Sequence, residues 1–131
     1  MNKIVETLKN YGVFFVSSND GKASHVRPFS SVTEIDGKVY ICTNNTKECY
    51  KQFMANPEVE LCTSVKDGTW VRVTGTLKRD DRDSSREAML KDPTGPSSLY
   101  KIGDGIFEVL SLENAKATKY SFTASPEAIE A

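Results

Sequence analysis

The sequence has little histidine and cysteine, the residues on which most metal sites and disulfide frameworks depend. Its 131 residues include 1 histidine and 3 cysteines. The cysteines Cys42, Cys49 and Cys62 are odd in number and form no CxxC pair. This argues against a disulfide framework and indicates a reducing compartment, so we expect a cytoplasmic protein. A closed zinc site would have too few ligands, and we predict no metal site.

Long apolar runs and an excess of one charge are also missing. The uncharged apolar stretch at residues 12–16 is far shorter than the roughly 20 residues that span a bilayer. Residues 1–11 interleave charged and apolar side chains, unlike a signal peptide. The 17 basic and 18 acidic residues give a net charge of -1, which does not fit a basic nucleic-acid-binding protein. We expect neither a membrane nor a nucleic-acid partner, while a small phosphorylated ligand stays compatible with this balance.

Recognisable catalytic motifs are absent as well. The sequence has no GxSxG elbow, no Walker motif and no paired carboxylates at helical spacing. His25 could act as a general acid or a haem ligand, but a lone strand histidine is more commonly a surface residue. We therefore predict no catalytic side chain. Any chemistry would come from a cofactor, which needs only binding, orientation and electrostatics from the protein.

The sequence does contain short alternating segments separated by turn dipeptides such as Asp36-Gly37 and Asp67-Gly68. Such segments predict strands at residues 12–18, 23–35, 38–43, 58–65, 69–78, 105–113 and 115–122. Six or seven short strands with a few peripheral helices indicate a mainly β fold, an antiparallel Greek-key barrel. We expect a single domain over residues 1–123 and a polar C-terminal tail over residues 124–131.

Three helices are predicted from capping and breaking signals. Asn2 is a candidate N-cap for the first helix, and Asn45 with Glu48 resembles a capping box for the second. Asp80 or Asp81 could cap the third. These helices are expected outside the barrel.

The first candidate binding segment is Arg27-Pro28-Phe29-Ser30, which lies within a predicted strand. Pro28 removes a ladder donor, so this strand should lie at an edge or carry a bulge or bend. The exposed backbone groups could bind the edge of a planar heterocycle, with Phe29 as an apolar face. The alternative is an ordinary strand edge with an exposed arginine, which this segment alone favours.

The second segment runs from Thr43 through Asn44 to Lys47, between a strand and a helix. Free N–H groups and the helix dipole favour an anion at such a place. Lys47 adds a positive charge, and the Thr43 and Thr46 hydroxyls can donate to phosphate oxygens. The alternative is a helix cap with a solvated lysine, and the residues alone favour neither.

The third candidate is Trp70, which alternation places with Arg72 and Thr74 on the less apolar face of its strand. Its indole could stack on a ligand or seal a subunit interface. A half-buried packing tryptophan is the commoner explanation.

Taken in order, residues 27–29, 43–47 and 70–75 resemble the pyridoxamine 5′-phosphate oxidase-like, FMN-binding split-barrel family. The resemblance extends from about Glu6 to Tyr120. It implies a six-stranded split barrel that forms a homodimer with two FMN sites at the subunit interface.

The resemblance also implies roles for individual residues. Residues 27–30 would lie along the isoalloxazine edge and the ribityl chain, largely through backbone contacts. Thr43 and Asn44 would hold the phosphate side, with Thr46 and Lys47 as the hydroxyl and basic phosphate-binding residues. Trp70 stands where the oxidase often has a flavin-contacting glutamine, so we expect a contact of a different kind there.

One departure from the family concerns the substrate. The oxidase carries a C-terminal extension whose arginine and histidine bind pyridoxal phosphate, whereas this sequence ends at Ala131 without them. The resemblance therefore points to the short members, similar to general stress proteins and nitroimidazole-resistance reductases, rather than to vitamin B6 oxidation. We expect an FMN-dependent oxidoreductase acting on a small-molecule substrate. The alternative is a non-enzymatic module that binds flavin or haem for stress response or sensing.

Overall fold

Turns with positive φ divide the chain into antiparallel hairpins. Asp36 and Gly37 adopt φ values of 52° and 76°, and Asp67 and Gly68 adopt 53° and 72°. Consecutive left-handed residues match the right-handed twist of the flanking strands, which is why Asp-Gly pairs favour such turns. Both predicted hairpins are confirmed.

A computed structural model describes residues 2–131. It contains α1 (Lys3–Tyr11), β1 (Phe14–Asn19), β2 (Ser24–Phe29), β3 (Thr33–Ile35), β4 (Lys38–Asn44), α2 (Glu48–Ala55), β5 (Glu58–Thr63), β6 (Thr69–Asp80), α3 (Asp83–Lys91), β7 (Phe107–Ser121) and β8 (Glu127–Ile129). Within these residues, no helix is long and apolar enough to cross a membrane.

All eight strands form one antiparallel sheet in the order β2-β1-β5-β6-β7-β4-β3, with β8 paired to β7. The predicted mainly β antiparallel fold is confirmed. Over residues 2–131 no ladder joins the two end strands, β2 and β3, and the sheet has eight strands rather than six. The six-stranded barrel is therefore not confirmed. The predicted tail, residues 124–131, contains the short strand β8.

The predicted strand 23–35 is wrong, because it is interrupted between β2 and β3. There Thr94 takes over the backbone hydrogen bonds. The Val32 N–H donates to Thr94 Oγ1 at 3.0 Å, Thr94 Oγ1 lies 3.0 Å from the Val32 carbonyl, and Ser31 Oγ donates to the Thr94 carbonyl at 2.7 Å. A segment held by a distant threonine cannot continue a ladder, so the chain leaves the sheet.

The two predicted strands at 105–113 and 115–122 are also wrong, because they form the single strand β7. Its pairing with β6 shifts register around Gly75, since Thr74 faces Lys116 while Thr76 faces Glu113. The extra β7 residue is accommodated by Asn114 with φ 55°. A bulge of this kind bends a strand without ending it.

The helix caps agree with the sequence only at α1. Asn2 Oδ1 accepts from the N–H groups of Ile4 and Val5 at 2.8 and 3.2 Å, as predicted. The capping box at α2 is wrong, because α2 has Lys47 as its N-cap residue. Asn45 Nδ2 instead donates to Glu108 Oε2 at 2.9 Å.

The third helix begins at Asp83, one or two residues later than the predicted caps imply. Arg82 occupies the N-cap position of α3, rather than Asp80 or Asp81. Asp80 still supports this end of the helix, since its carboxylate accepts from the Arg82 N–H at 3.0 Å and from Ser85 Oγ at 2.6 Å.

The core lies inside the curved sheet beneath α1 and α2. On β6 it takes Val71, Val73 and Leu77, which are buried, whereas Arg72 and Thr74 are exposed. This is the alternation expected from the sequence. A second, smaller cluster packs α3 against the other side of β4 and β7, and consists of Tyr40, Cys42, Met89, Phe107 and Val109.

Candidate functional site

A cavity of about 550 Å³ occupies the gap where the sheet stays open. β3 pairs with β4 only over Lys38–Tyr40, so residues 41–44 keep β7 on one edge and have no strand on the other. We call this opening the seam cavity. Its lining residues are 27–31, 42–43, 47–49, Pro96, Leu99 and Tyr100.

The seam cavity brings together six of the nine residues predicted as ligand contacts. These are Arg27, Pro28, Phe29, Ser30, Thr43 and Lys47. They come from two sequence segments that face each other across the opening of the sheet. Asn44, Thr46 and Trp70 do not line it.

Lys47 is placed to attract an anion into the cavity. It is exposed, precedes the first turn of α2 with extended backbone (φ -82°, ψ 147°), and makes no side-chain cap bond. Among the described residues its ammonium has no ion-pair partner. Glu48 beside it pairs with Lys51 Nζ at 3.3 Å, so its negative charge is partly offset. The N-terminus of α2 adds its own preference for negative charge.

Asn44 and Thr46 shape the turn that carries Lys47. Asn44 is buried, and its Oδ1 accepts from the Thr46 N–H at 3.0 Å and from Thr46 Oγ1 at 2.5 Å. Its Nδ2 donates to the Tyr100 hydroxyl at 2.6 Å. The Tyr100 ring stacks on Phe107 with centroids 5.1 Å apart. Both ends of the Asn44 amide are thus engaged within the protein.

The opposite wall is β2, which pairs only with β1 and so is an edge strand, as the proline at position 28 predicts. Pro28 pairs in register with Phe15 and is exposed. Phe29 points inward, with its ring 6.3 Å from those of Phe14 and Phe53. This wall is anchored by aromatic packing on one side and leaves a backbone edge unpaired on the other.

Arg27 also points inward, toward α2. Its Nη1 donates to Ser18 Oγ at 2.5 Å and its Nη2 to Gln52 Oε1 at 3.1 Å. The guanidinium carbon lies 5.8 Å from the centre of the Phe53 ring. The exposed-arginine alternative is therefore wrong, because the side chain is half-buried and bonded.

Several cavity residues were missed by sequence reasoning. Cys42 and Cys49 are buried thiols on the floor, and burial raises the pKa of Cys42 to about 12. Thr43 Oγ1 lies 3.5 Å from Cys49 Sγ. Their places next to Thr43 and Lys47 in the chain are a signal that could have found them. Pro96, Leu99 and Tyr100 come from a distant connection and give no such signal.

His25 lies outside the cavity, near the start of β2, where it pairs in register with Ser18. Its Nε2 is 2.8 Å from Asp20 Oδ2. This contact, followed by the backbone N–H groups of Ala23 and Lys22, lowers the pKa of Asp20 to about 2. His25 is not among the residues that line the cavity, which begin at Arg27, two positions further along β2. The one histidine of the chain is therefore not a cavity residue.

Trp70 lies on the outer face of the sheet. Its ring stacks on Tyr120 at 5.8 Å and 16° and lies 4.8 Å from Phe122. Arg72 covers Tyr120 at 5.2 Å. Trp70 thus packs within an aromatic cluster, and in one chain it does not meet the other predicted residues.

Comparison with solved structures finds related folds over almost the whole chain. A NimC/NimA family protein from Clostridium acetobutylicum is 40% identical, with a TM-score of 0.88 over 96% of this chain and 91% of that one. A pyridoxamine 5′-phosphate oxidase-related, FMN-binding protein from Nostoc punctiforme is 12% identical, with a TM-score of 0.65 over 97% and 92%. A heme-binding protein from Mycobacterium smegmatis is 14% identical, with a TM-score of 0.74 over 98% of this chain and 57% of that one.

These matches support different conclusions. At 12% and 14% identity the two distant similarities establish the fold alone, whereas 40% identity over nearly the full length of both chains establishes a family. No protein-family model and no curated protein matches the chain.

Proposed function

The chain belongs to the NimC/NimA family, which has the fold of pyridoxamine 5′-phosphate oxidase-related proteins, and on this premise we propose that its seam cavity binds FMN. Lys47 and the start of α2 would hold the phosphate. The backbone of residues 27–30 would contact the ring system and the ribityl chain. When bound, FMN supplies reversible one- and two-electron redox chemistry.

The residues present suit such a ligand. The cavity volume of about 550 Å³ falls within the roughly 300–1,000 Å³ of ordinary small-molecule sites. Lys47 offers a charge with no competing partner among the described residues, next to the N–H groups that begin α2. The free edge of β2 offers hydrogen-bonding groups to a planar heterocycle. The observation that carries the proposal is the meeting of six predicted flavin contacts, from two separate segments, around one cavity.

We propose that the protein is an oxidoreductase that passes electrons between FMN and a small molecule. The cavity opens beside Leu99, whose side chain is 73% exposed, and Pro96, so a substrate has an apolar approach. The lining has no histidine, and burial raises the pKa of Cys42 to about 12, which keeps this thiol neutral. The chain's own residues then bind and orient, and the cofactor carries the redox step.

A second copy of the chain is proposed to cover the outer face of the sheet. Phe15, Cys62 and Arg72 are direct cross-strand partners on that face, and partners of this kind project to the same side. Apolar side chains are exposed there, among them Val26 at 66% and Phe122 at 73%. Exposed apolar clusters of this type mark protein interfaces. In such a homodimer Trp70 could reach the flavin of the other subunit.

The three free thiols support a reducing compartment, and we propose that the protein works in the cytoplasm. The measurement is the thiol content of freshly purified protein. A disulfide in protein kept from air would contradict this assignment.

The test is a titration of the purified protein with FMN, followed by flavin fluorescence and absorbance, with sedimentation to count subunits. We expect one FMN per chain in a dimer. Reduction of the bound flavin under nitrogen, followed by addition of candidate acceptors, then tests turnover. No saturable binding by folded protein would refute the proposal.

The same experiment separates the binding-module alternative. Flavin that binds but is never reoxidised by an acceptor would indicate storage or sensing. A haemin titration in parallel addresses the haem alternative. We expect FMN to bind more tightly than haemin, because the lining of the cavity contains no histidine that could ligate the haem iron.

A further inference from the structure

Three polar side chains from three elements meet behind the β2 wall of the seam cavity. Ser18 of β1 is buried, with 3% exposure. Its hydroxyl donates to Gln52 Oε1 of α2. Arg27 of β2 donates through Nη1 to Ser18 Oγ at 2.5 Å and through Nη2 to Gln52 Oε1 at 3.1 Å. Each of the three thus contacts the other two.

We propose that Ser18, Arg27 and Gln52 form a clamp that holds β2 against α2 and so sets the width of the flavin site. This inference rests on the function proposed above. Arg27 and Gln52 are then positioning residues. The clamp is needed because β2 has a ladder only with β1, and its other edge borders the cavity.

The clamp links the two parts of the site that would hold different parts of FMN. Gln52 lies in α2, the helix that begins directly after Lys47. Arg27 begins the segment 27–30 on the opposite wall. A rigid connection between them fixes the spacing between the anion-binding end and the strand edge, and so lowers the ordering cost of binding.

The orientation of the Arg27 side chain favours this positioning role over a role as a phosphate ligand. Two of its five N–H donors are used within the clamp, and its guanidinium carbon lies 5.8 Å from the ring of Phe53, which is fully buried. Its charge is thus directed toward α2. Discrimination between FMN and riboflavin, which lacks the phosphate, then rests on Lys47, while the clamp supports both ligands equally.

The test compares FMN and riboflavin affinities of the wild type with those of Gln52→Met, Gln52→Glu and Lys47→Ala. Gln52→Met keeps the side-chain length but removes the acceptor, and should weaken both flavins by the same factor, about three- to tenfold. Gln52→Glu keeps the acceptor oxygen, so this variant should bind riboflavin with the same affinity as the wild type. Lys47→Ala should weaken FMN alone. Urea unfolding verifies that each variant is folded, and Ser18→Ala replaces Gln52→Met if the latter does not fold.

The outcomes are distinct. Unchanged affinities in Gln52→Met, beside normal wild-type binding, would overturn the clamp and leave the proposed function intact. Loss of FMN affinity alone would also overturn it, since the network would then be a phosphate ligand. Wild-type protein that binds neither flavin overturns the proposed function, and the clamp's role with it.

Discussion

Removal of the Lys47 charge should weaken the binding of FMN and leave the binding of riboflavin almost unchanged. Lys47 is exposed, it is the N-cap residue of α2, and among the described residues its ammonium makes no ion pair. Lys47→Ala therefore removes no internal contact, and the free energy of unfolding should hardly change. What is lost is a charge-assisted hydrogen bond to the phosphate.

The size of the loss follows from the position of the side chain. Hydrogen bonds to charged groups contribute about 1.5–3 kcal/mol, and solvent exposure places Lys47 at the lower end because water and salt screen its charge. About 1.5 kcal/mol corresponds to roughly a tenfold weaker FMN complex. The N-terminus of α2 remains and still contributes about 0.3–1 kcal/mol toward an anion, so binding should weaken rather than vanish.

The assay is fluorescence titration with FMN and with riboflavin at low and high salt, and at pH 5 and pH 7. The phosphate gains its second negative charge near pH 6, so the wild-type preference for FMN over riboflavin should increase from pH 5 to pH 7. In Lys47→Ala this increase should be much smaller. Lys3→Ala is the matched control, because Lys3 is also exposed, makes no ion pair among the described residues and does not line the cavity. Equal weakening of FMN and riboflavin in Lys47→Ala would refute the phosphate assignment.

Three further predictions concern other parts of the chain. Burial raises the pKa of Cys42 to about 12, so iodoacetamide at pH 8 should not label Cys42 in the native protein. In guanidinium all three cysteines should be labelled, as measured by mass spectrometry. Rapid labelling of Cys42 in the native protein would contradict this prediction. A Cβ at Gly75 would lie 2.7 Å from Leu112 Cγ and 2.9 Å from the Glu113 carbonyl oxygen. Gly75→Ala should therefore lower the free energy of unfolding by about 1–3 kcal/mol, as measured by urea denaturation. An unchanged unfolding midpoint would contradict the close packing at this position. The His25 contact lowers the pKa of Asp20 from 3.8 to about 2, so Asp20 stabilises the fold above about pH 4 and loses this effect as the pH falls toward 2. The melting temperature of Asp20→Asn should therefore fall less between pH 4 and pH 2 than that of the wild type. Parallel pH profiles of the two proteins would contradict this prediction.

The features that could be predicted from the sequence are those set by neighbours in the chain. The Asp36-Gly37 and Asp67-Gly68 turns depend on local φ preferences, and the alternation on β6 depends on which side chains can be buried. The segments 27–30 and 43–47 also stand out locally, because Pro28 interrupts the ladder of its strand and Lys47 lies where a strand is followed by a helix.

What could not be predicted depends on residues far apart in the chain. Asn45 looked like a helix cap, but Glu108, from β7, binds its amide. Arg27 looked exposed, but Gln52 and Ser18 hold it inside. The wall that includes Tyr100 has no sequence signal, because its position is set by a hydrogen bond from Asn44. Periodicity reports which face of an element is buried, not which distant partner buries it.

The long strand β7 has a consequence for how the protein is made. It pairs with β4, β6 and β8, yet it is translated well after β4 and β6. The β4 wall of the seam cavity has no long strand partner until Phe107–Ser121 has been translated, so the two walls cannot be assembled from the N-terminal part of a nascent chain. Since synthesis adds roughly 5–20 residues per second, the β4 wall waits several seconds for β7, and a cofactor can find its finished site only after that.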